Sequence, residues 1–325
     1  MKDFFVGLWN KIKPKKVIRK VYIDGKKIKV PRDNQTVLTK RKGVERVIFG
    51  AVCVFFTIYA LALLYPLFYL IVNSLEDTIL YSMKEMQGKA LELPQKLHFS
   101  NYVKVFSELN YEDVNFFEML FNTLFYTFIP TAYGLFWPTL NGYVFAKFNF
   151  KAKGVLYAIA ITCMTLPIMG TGGAAFKLRL DLGMYDNRWA FIIGGTGAFD
   201  SRWLILLGIF KGIPWSYAEA VYIDGGNDFT VFFRIMLPQA LPAIAVLYIT
   251  AAENQWNDYA SMLLYHPSDL TLATGLYYIS SQLQRTGGHT IYYAGLVLSA
   301  LPFVIIYMFS CESMMKNVSI GGLKG

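Results

Sequence analysis

Apolar residues run in long blocks along this chain, separated by shorter stretches where polar and charged residues collect. One helical crossing of a bilayer takes about 20 mostly apolar residues. The run from Val47 through Phe55 and Leu63 to Val72 meets that length without a charge inside it. Further blocks predict spans over about 118–143, 154–175, 189–211, 240–263 and 290–312. Asp200 and Arg202 interrupt the fourth block, and charges at membrane depth face protein or water, not lipid. The expected fold is all-α, a polytopic membrane helical bundle with six transmembrane helices over 47–312 and a C-terminal tail over 313–325.

Ahead of the first block, residues 1–46 form a basic N-terminal extension. Phe4, Phe5, Leu8, Trp9 and Ile12 recur at helical spacing among lysines, as in an interfacial amphipathic helix. From Val21 to Val30, Asp24-Gly25 sits between two β-prone arms and predicts a hairpin. The extension reads equally as an anchor, a partner contact or a solvated tail that fixes orientation. By the positive-inside rule it is cytoplasmic, and six spans then put both termini on that side. The loop over 75–115 holds four lysines against seven acidic residues, whereas the turn 147–153 has Lys147, Lys151 and Lys153 and no acid, as this topology requires. The loop 176–188 departs from it, with Lys177, Arg179 and Arg188 against Asp181 and Asp186.

Composition changes the picture only by exclusion. At 55% hydrophobic and 16% charged residues, the chain is too apolar for an ordinary soluble domain of its length. A net charge of +9 raises the question of nucleic acid, but most of the excess lies beside the first apolar block, so no nucleic-acid partner is expected. Cys53, Cys163 and Cys311 lie in apolar segments without paired spacing, and His98, His266 and His289 are scattered, so neither a disulfide framework nor a metal site is expected. The basic start is too long, and its apolar core too late, for a cleavable signal peptide.

The segment 214–242 between the fourth and fifth blocks is not linker-like. Ala218 to Ile223 is predicted helical and ends at Asp224-Gly225-Gly226, a turn that suits positive φ. A second helical run follows from Asp228 to Leu237, with Phe229, Phe232, Phe233, Ile235 and Met236, and Pro238 and Pro242 are expected to reset the chain as it enters the fifth span. Helix, glycine turn and helix would make a compact knob able to transmit force to a partner.

This segment resembles the Glu-Ala-Ala loop of bacterial ABC importer permeases, carried here by Glu219, Ala220, Asp224, Gly225, Phe232, Leu237 and Pro238. Val221 and Gly226 depart from the pattern, each standing where alanine is usual. Leu93-Pro94, Asn101-Tyr102, Phe106, Asn122-Thr123, Phe145-Ala146-Lys147-Phe148, Trp256-Asn257-Asp258, Leu301-Pro302 and the Gly321-Gly322-Leu323-Lys324-Gly325 ending are similar to the carbohydrate branch, in particular to its smaller, maltose-type permease subunit. Leu166 to Arg188, with Gly170, Gly172 and Gly173, fits that branch less well.

The resemblance implies a multi-pass permease of a bacterial plasma membrane that imports oligosaccharides or related sugars. It would pair with a second permease subunit, two cytoplasmic ATPase subunits coupled through the 214–242 loop, and an extracellular solute-binding protein met by the loop 265–289. The tail 321–325 would reach the ATPase interface, or would be a frayed terminus. No Gly-x-x-x-x-Gly-Lys-Ser/Thr phosphate loop occurs, so ATP and magnesium are expected on the partner ATPase, with no cofactor and no catalytic site in this chain.

Sugars are gripped by aromatic faces and by amide or carboxylate hydrogen bonds. In the fifth block, Glu253, Trp256 and Asn257 could share a helix face with Asn254 and Asp258 beside it, a possible translocation path. Helix–helix hydrogen bonding explains the same residues as well. An ion-coupled secondary transporter, with Asp200, Glu253 and Asp258 as its only candidate carboxylates, or a membrane enzyme, is the alternative reading.

Overall fold

The computed structural model describes residues 18–23, 26–31, 44–89, 92–166, 170, 172–194, 197–286 and 289–318. The expected helix over Phe4–Ile12, the turn Asp24-Gly25 and the tail 321–325 lie outside them. The chain divides into two compact units, 1–64 and 65–325.

In the first unit, strands β1 (Ile18–Ile23) and β2 (Lys26–Pro31) pair antiparallel, with Val21 opposite Ile28. Helix α1 (Val44–Ser74) begins there and ends in the second unit. Its sequence is apolar on every side from Val47 to Val72, as a helix surrounded by lipid requires.

Within the second unit, the end of α1 joins α2 (Thr78–Met86) and α3 (Ser100–Glu108) through buried polar groups. Asn101 donates to the carbonyls of Ser74 and Glu76 at 2.9 and 2.8 Å, and Lys84 pairs with Glu76 at 2.8 Å. Both ions of that pair are buried, where losing either partner would leave an uncompensated charge.

Helix α4 (Phe116–Lys147) is the spine. Asn115 caps it, accepting from the Glu118 N–H at 3.0 Å. Its buried residues include one at every fourth position (Met119, Thr123, Thr127, Thr131, Leu135, Thr139, Tyr143), a stripe along the helix. Small residues in that stripe let neighbours close in. A Cβ at Gly142 would stand 3.1 Å from the Leu206 Cβ and 3.2 Å from the Leu207 nitrogen of α8 (Ser201–Gly212).

Beyond the β1–β2 hairpin the fold is an all-α membrane bundle, but its spans are less continuous than the hydropathy blocks. Among the described residues, three helices are long and apolar enough to cross a membrane by length and composition, or four if a bent helix pair counts as one. The expected six is approximate for identifiable reasons. Helix α4 has 32 residues, but its inward threonines, tyrosines and asparagine dilute the apolar signal. The third block breaks after α5 (Lys153–Thr165), because Leu166 precedes Pro167 and takes extended geometry (ψ 116°). Helix α6 (Gly172–Asp181) follows separately. The fourth block splits into α7 (Arg188–Gly194) and α8, with Asp200 as the N-cap of α8, accepting from the Trp203 N–H at 3.0 Å. The charge that interrupted the block in the sequence is the start of a new helix.

After α9 (Ser216–Ile223), helix α10 (Asp228–Trp256) runs without a break through both prolines. The expected reset at Pro238 is replaced by a π-helical turn over Val231–Met236. Leu237 N–H bonds back five residues to the Phe232 carbonyl, and Pro238, which has no N–H to give, follows at once. The fifth block ends early at Asn257-Asp258, and α11 (Tyr259–Tyr265), α12 (Leu272–Thr286) and α13 (His289–Val318) complete the unit.

Candidate functional site

The segment 214–242 is an ordered knob at the C-terminal end of α4. Gly225 holds φ at +80°, as expected of the turn. Its N–H donates to the Tyr222 carbonyl at 3.0 Å, and the Gly226 N–H donates to the Val221 carbonyl at 2.8 Å, closing the end of α9. Asn227 caps the next helix, accepting from the Thr230 N–H at 3.0 Å, and the Tyr222 hydroxyl donates to Asp228 at 2.5 Å across the turn.

The knob is anchored through its buried side. Ala218, Val231, Phe232, Met236 and Ala240 form one cluster with Leu135 and Tyr143 of α4 and Leu206 and Phe210 of α8. The Tyr143 and Phe232 rings lie 4.8 Å apart. Lys147 donates to the Ile213 carbonyl from the last turn of α4, fixing the strap that leads into the knob. Glu219, Ala220, Asp224, Gly225 and Pro238 are exposed, and Leu237 is half-buried. The free side is unusually apolar, with Ile223 85% and Phe229 74% exposed. Of the seven motif residues, Phe232 therefore secures the knob while the acidic and small ones face outward. The outward apolar pair was not singled out as a contact; its signal was an isoleucine and a phenylalanine flanking the glycine turn in a polar loop.

The five possible path residues are not brought together. Trp256 is buried, its ring 5.8 Å from Phe303 and its Nε1 donating to the Ser299 carbonyl at 3.2 Å, so it holds α10 to α13. Asp258 is the N-cap of α11, accepting from the Ser261 N–H at 3.0 Å. Asn257 terminates α10 and donates to the Glu253 carbonyl at 3.0 Å. Only Glu253 and Asn254 stand exposed on the helix. Because α10 stops at Trp256, the helical face expected over 253–258 does not extend to Asp258.

Asn254 instead lines a cleft of about 540 Å³ with Thr131, Arg202, Thr250 and Gln255. The Arg202 Nε donates to Asp200 at 2.6 Å, so a neutralised ion pair borders the cleft. Arg202 was noted in the sequence as a charge within an apolar block, and that is the signal that could have placed it here. Trp256 and Asn257 belong to a separate cleft of about 260 Å³ with Tyr259, Tyr277 and Tyr292.

At the other end of α4, Asp269 accepts from both Arg188 and the Tyr126 hydroxyl, and Arg188 also donates to Asn122 at 3.2 Å. Burial opposes the charge on Asp269, but the hydrogen bonds from Arg188 and Tyr126 outweigh it and hold its carboxyl below the usual value. His266 is 1% exposed, between the rings of Tyr126 and Phe191 at 5.6 and 4.8 Å. Neither ring nitrogen has a hydrogen-bond partner among the described residues, and burial pushes its pKa down. Asn122 and Tyr143, at the two ends, are 21 residues apart on α4, roughly 30 Å of helix and about one hydrocarbon thickness. Among the described residues no group of His, Cys, Asp or Glu could hold a metal ion.

Apolar helices enclosing polar clefts, with an ordered knob at one end and a polar cluster a bilayer thickness away, define a membrane-embedded transport component. The chain belongs to the family described as binding-protein-dependent transport system inner membrane component, whose profile matches residues 138–316. It is 28% identical over 285 residues to the arabinooligosaccharides transport system permease protein AraQ of Bacillus subtilis, covering 85% of this chain and 95% of that one. It is 27% identical over 260 residues to the maltodextrin transport system permease protein MalD of Streptococcus pneumoniae, covering 78% and 91%. Among solved structures it superposes on a bacterial ABC transporter involved in the import of the acidic polysaccharide alginate, with a TM-score of 0.69 and 26% identity over 84% of this chain and 99% of that one.

Proposed function

We propose that this chain is one of two membrane-spanning subunits of an ATP-driven importer of oligosaccharides. The observation that carries the reading is the knob over 214–242, rigidly seated on α4 and α8 through Phe232 and Met236 while presenting Glu219, Ile223 and Phe229 outward. An exposed apolar patch on an ordered element is a partner site. Two cytoplasmic ATPase subunits, which bind ATP and magnesium, receive this knob and the corresponding knob of a second permease. Their closure draws the two knobs together, and the helices packed on them rock between inward- and outward-facing states. This chain itself does no chemistry.

A cytoplasmic N-terminus is supported by the basic extension, and six spans put the C-terminus on the same side. The polar cluster around Asp269 then faces outward, where the loop 265–289 meets an extracellular solute-binding protein. The sugar assignment is supported by the substrates named for the relatives AraQ and MalD. It fits a cleft bordered by amides and a neutralised ion pair, with Asn254 the candidate path residue on its wall and Glu253 exposed next to it on α10.

Co-expression with the neighbouring permease and a candidate ATPase, followed by purification in detergent, tests the coupling. The ATPase should accompany the native chain and be lost or uncoupled with Gly225→Asp, whose side chain is strained at φ +80°. A native chain that folds but retains no ATPase in any pairing would overturn the proposal and favour ion-coupled transport.

A further inference from the structure

The hairpin of β1 and β2 is self-repelling. Its twelve strand residues include Arg19, Lys20, Lys26, Lys27 and Lys29 and no carboxylate. The register sets Lys20 directly opposite Lys29, and Lys27 opposite Tyr22 one pair further along the same set of alternate positions. Like charges facing across a strand pair destabilise it, and a lone two-stranded hairpin is marginal in water at best. The other alternate set is mostly apolar, with Val21 opposite Ile28 and Arg19 opposite Val30. An anionic partner would relieve that repulsion.

Position selects which one. Residues 1–46 carry 15 lysines and arginines against four acidic residues, a net of +11 where the whole chain has +9. Only residues 32–43 separate β2 from α1, and twelve residues reach about 40 Å even when fully extended. The hairpin is therefore tethered close to the membrane surface that α1 enters, and basic segments beside a membrane helix are drawn to anionic headgroups.

We infer that the β1–β2 hairpin is an anionic-lipid-binding element, docking on the leaflet at the start of α1 through Lys20, Lys27 and Lys29. Headgroup phosphates relieve the repulsion between Lys20 and Lys29, so pairing of the strands and binding to the surface are one event.

The test uses the full-length chain in nanodiscs of phosphatidylcholine alone or with 30% phosphatidylglycerol, with hydrogen–deuterium exchange read over residues 18–31. Exchange should slow at least tenfold in the anionic discs and return to the fast rate in 0.5 M NaCl, because screening shortens the reach of the field. Each Lys→Gln change at 20, 27 or 29 should cost roughly fivefold of that protection. A triple Lys→Arg variant should retain it, which separates charge from loss of the fold. Equal exchange in both discs would overturn the inference. Protection that appears only when an ATPase subunit or RNA is added would overturn it too, and would give the hairpin to that partner.

Discussion

Val221 and Gly226 share one space: a Cβ at residue 226 would collide with the Val221 Cγ1 and stand 3.0 Å from its carbonyl oxygen. These are the two positions at which the knob departs from the alanines usual in the loop it resembles. The larger residue at one is matched by the missing side chain at the other, so the departures form a compensated pair. Gly226→Ala alone should therefore destabilise the knob, by about 1–3 kcal/mol for overpacking, while Val221→Ala in the same chain should recover most of the loss. Thermal unfolding of the four members of this double-mutant cycle measures the coupling. Additive effects would mean that the two side chains do not compete.

The outward face of the same knob should behave differently. Ile223 and Phe229 are exposed, so Ile223→Asp and Phe229→Asp should leave thermal stability within about 0.5 kcal/mol. If the knob docks on an ATPase, each should weaken that association at least tenfold, since burying an unpaired carboxylate in an apolar contact is costly. Phe232→Ala is the control, because its buried ring should cost about 3–5 kcal/mol of stability whether or not the ATPase is present. Co-purification yield and melting temperature, measured together, separate the two classes.

At the opposite end, His266 makes the bundle sensitive to acid. Its folded pKa is depressed by desolvation, opposed by the nearby carboxylates of Asp186 and Asp269 and reinforced by Arg179. The unfolded chain thus binds a proton more readily than the folded one, so stability is greatest above the unfolded value near 6.5 and declines as pH falls below it. Asp269, also depressed, adds a second loss only below about pH 4. Melting temperature in detergent should fall between pH 7.5 and pH 5, and His266→Phe should flatten that slope. An unchanged slope in the variant would assign the acid sensitivity to other groups.

Much of this was legible in the sequence because it rests on local rules. The turn at Gly225 was readable from Asp224-Gly225-Gly226, since few other sequences tolerate positive φ. The Val21–Val30 hairpin was readable from a turn pair between β-prone arms. What hydropathy could not show was continuity. It ran straight through Leu166 and Asp200, where the backbone leaves helical geometry, and it stopped at Pro238, where a π-turn carries the helix on. Averaging apolar character over a window blurs the single residues that break or bend a helix. The knob's anchorage was partly visible as a run of phenylalanines, but which of them faced α4 depended on the π-turn, which shifts the helical phase by one residue.

The same phase problem divides the fifth block into residues that hold the fold and residues that border the cleft. Trp256 is buried between α10 and α13, so Trp256→Ala should cost about 3–5 kcal/mol and reduce the amount of folded protein recovered. Asn254 is exposed on α10 and lines the cleft beside Arg202 and Gln255. Among the described residues its Nδ2 bonds only to the Thr250 carbonyl of its own helix, at 2.9 Å. Asn254→Ala should therefore change melting temperature little, yet lower the transport of a sugar that uses this cleft, because a lost hydrogen bond to substrate is worth about 1 kcal/mol or more. Uptake in cells expressing the assembled importer, normalised to the folded permease in the membrane, distinguishes them. If Asn254→Ala transports normally while Arg202→Gln, at an ion pair bordering the same cleft, also has no effect beyond stability, the path does not run through this cleft. The 260 Å³ cleft beside Tyr277 then becomes the one to probe.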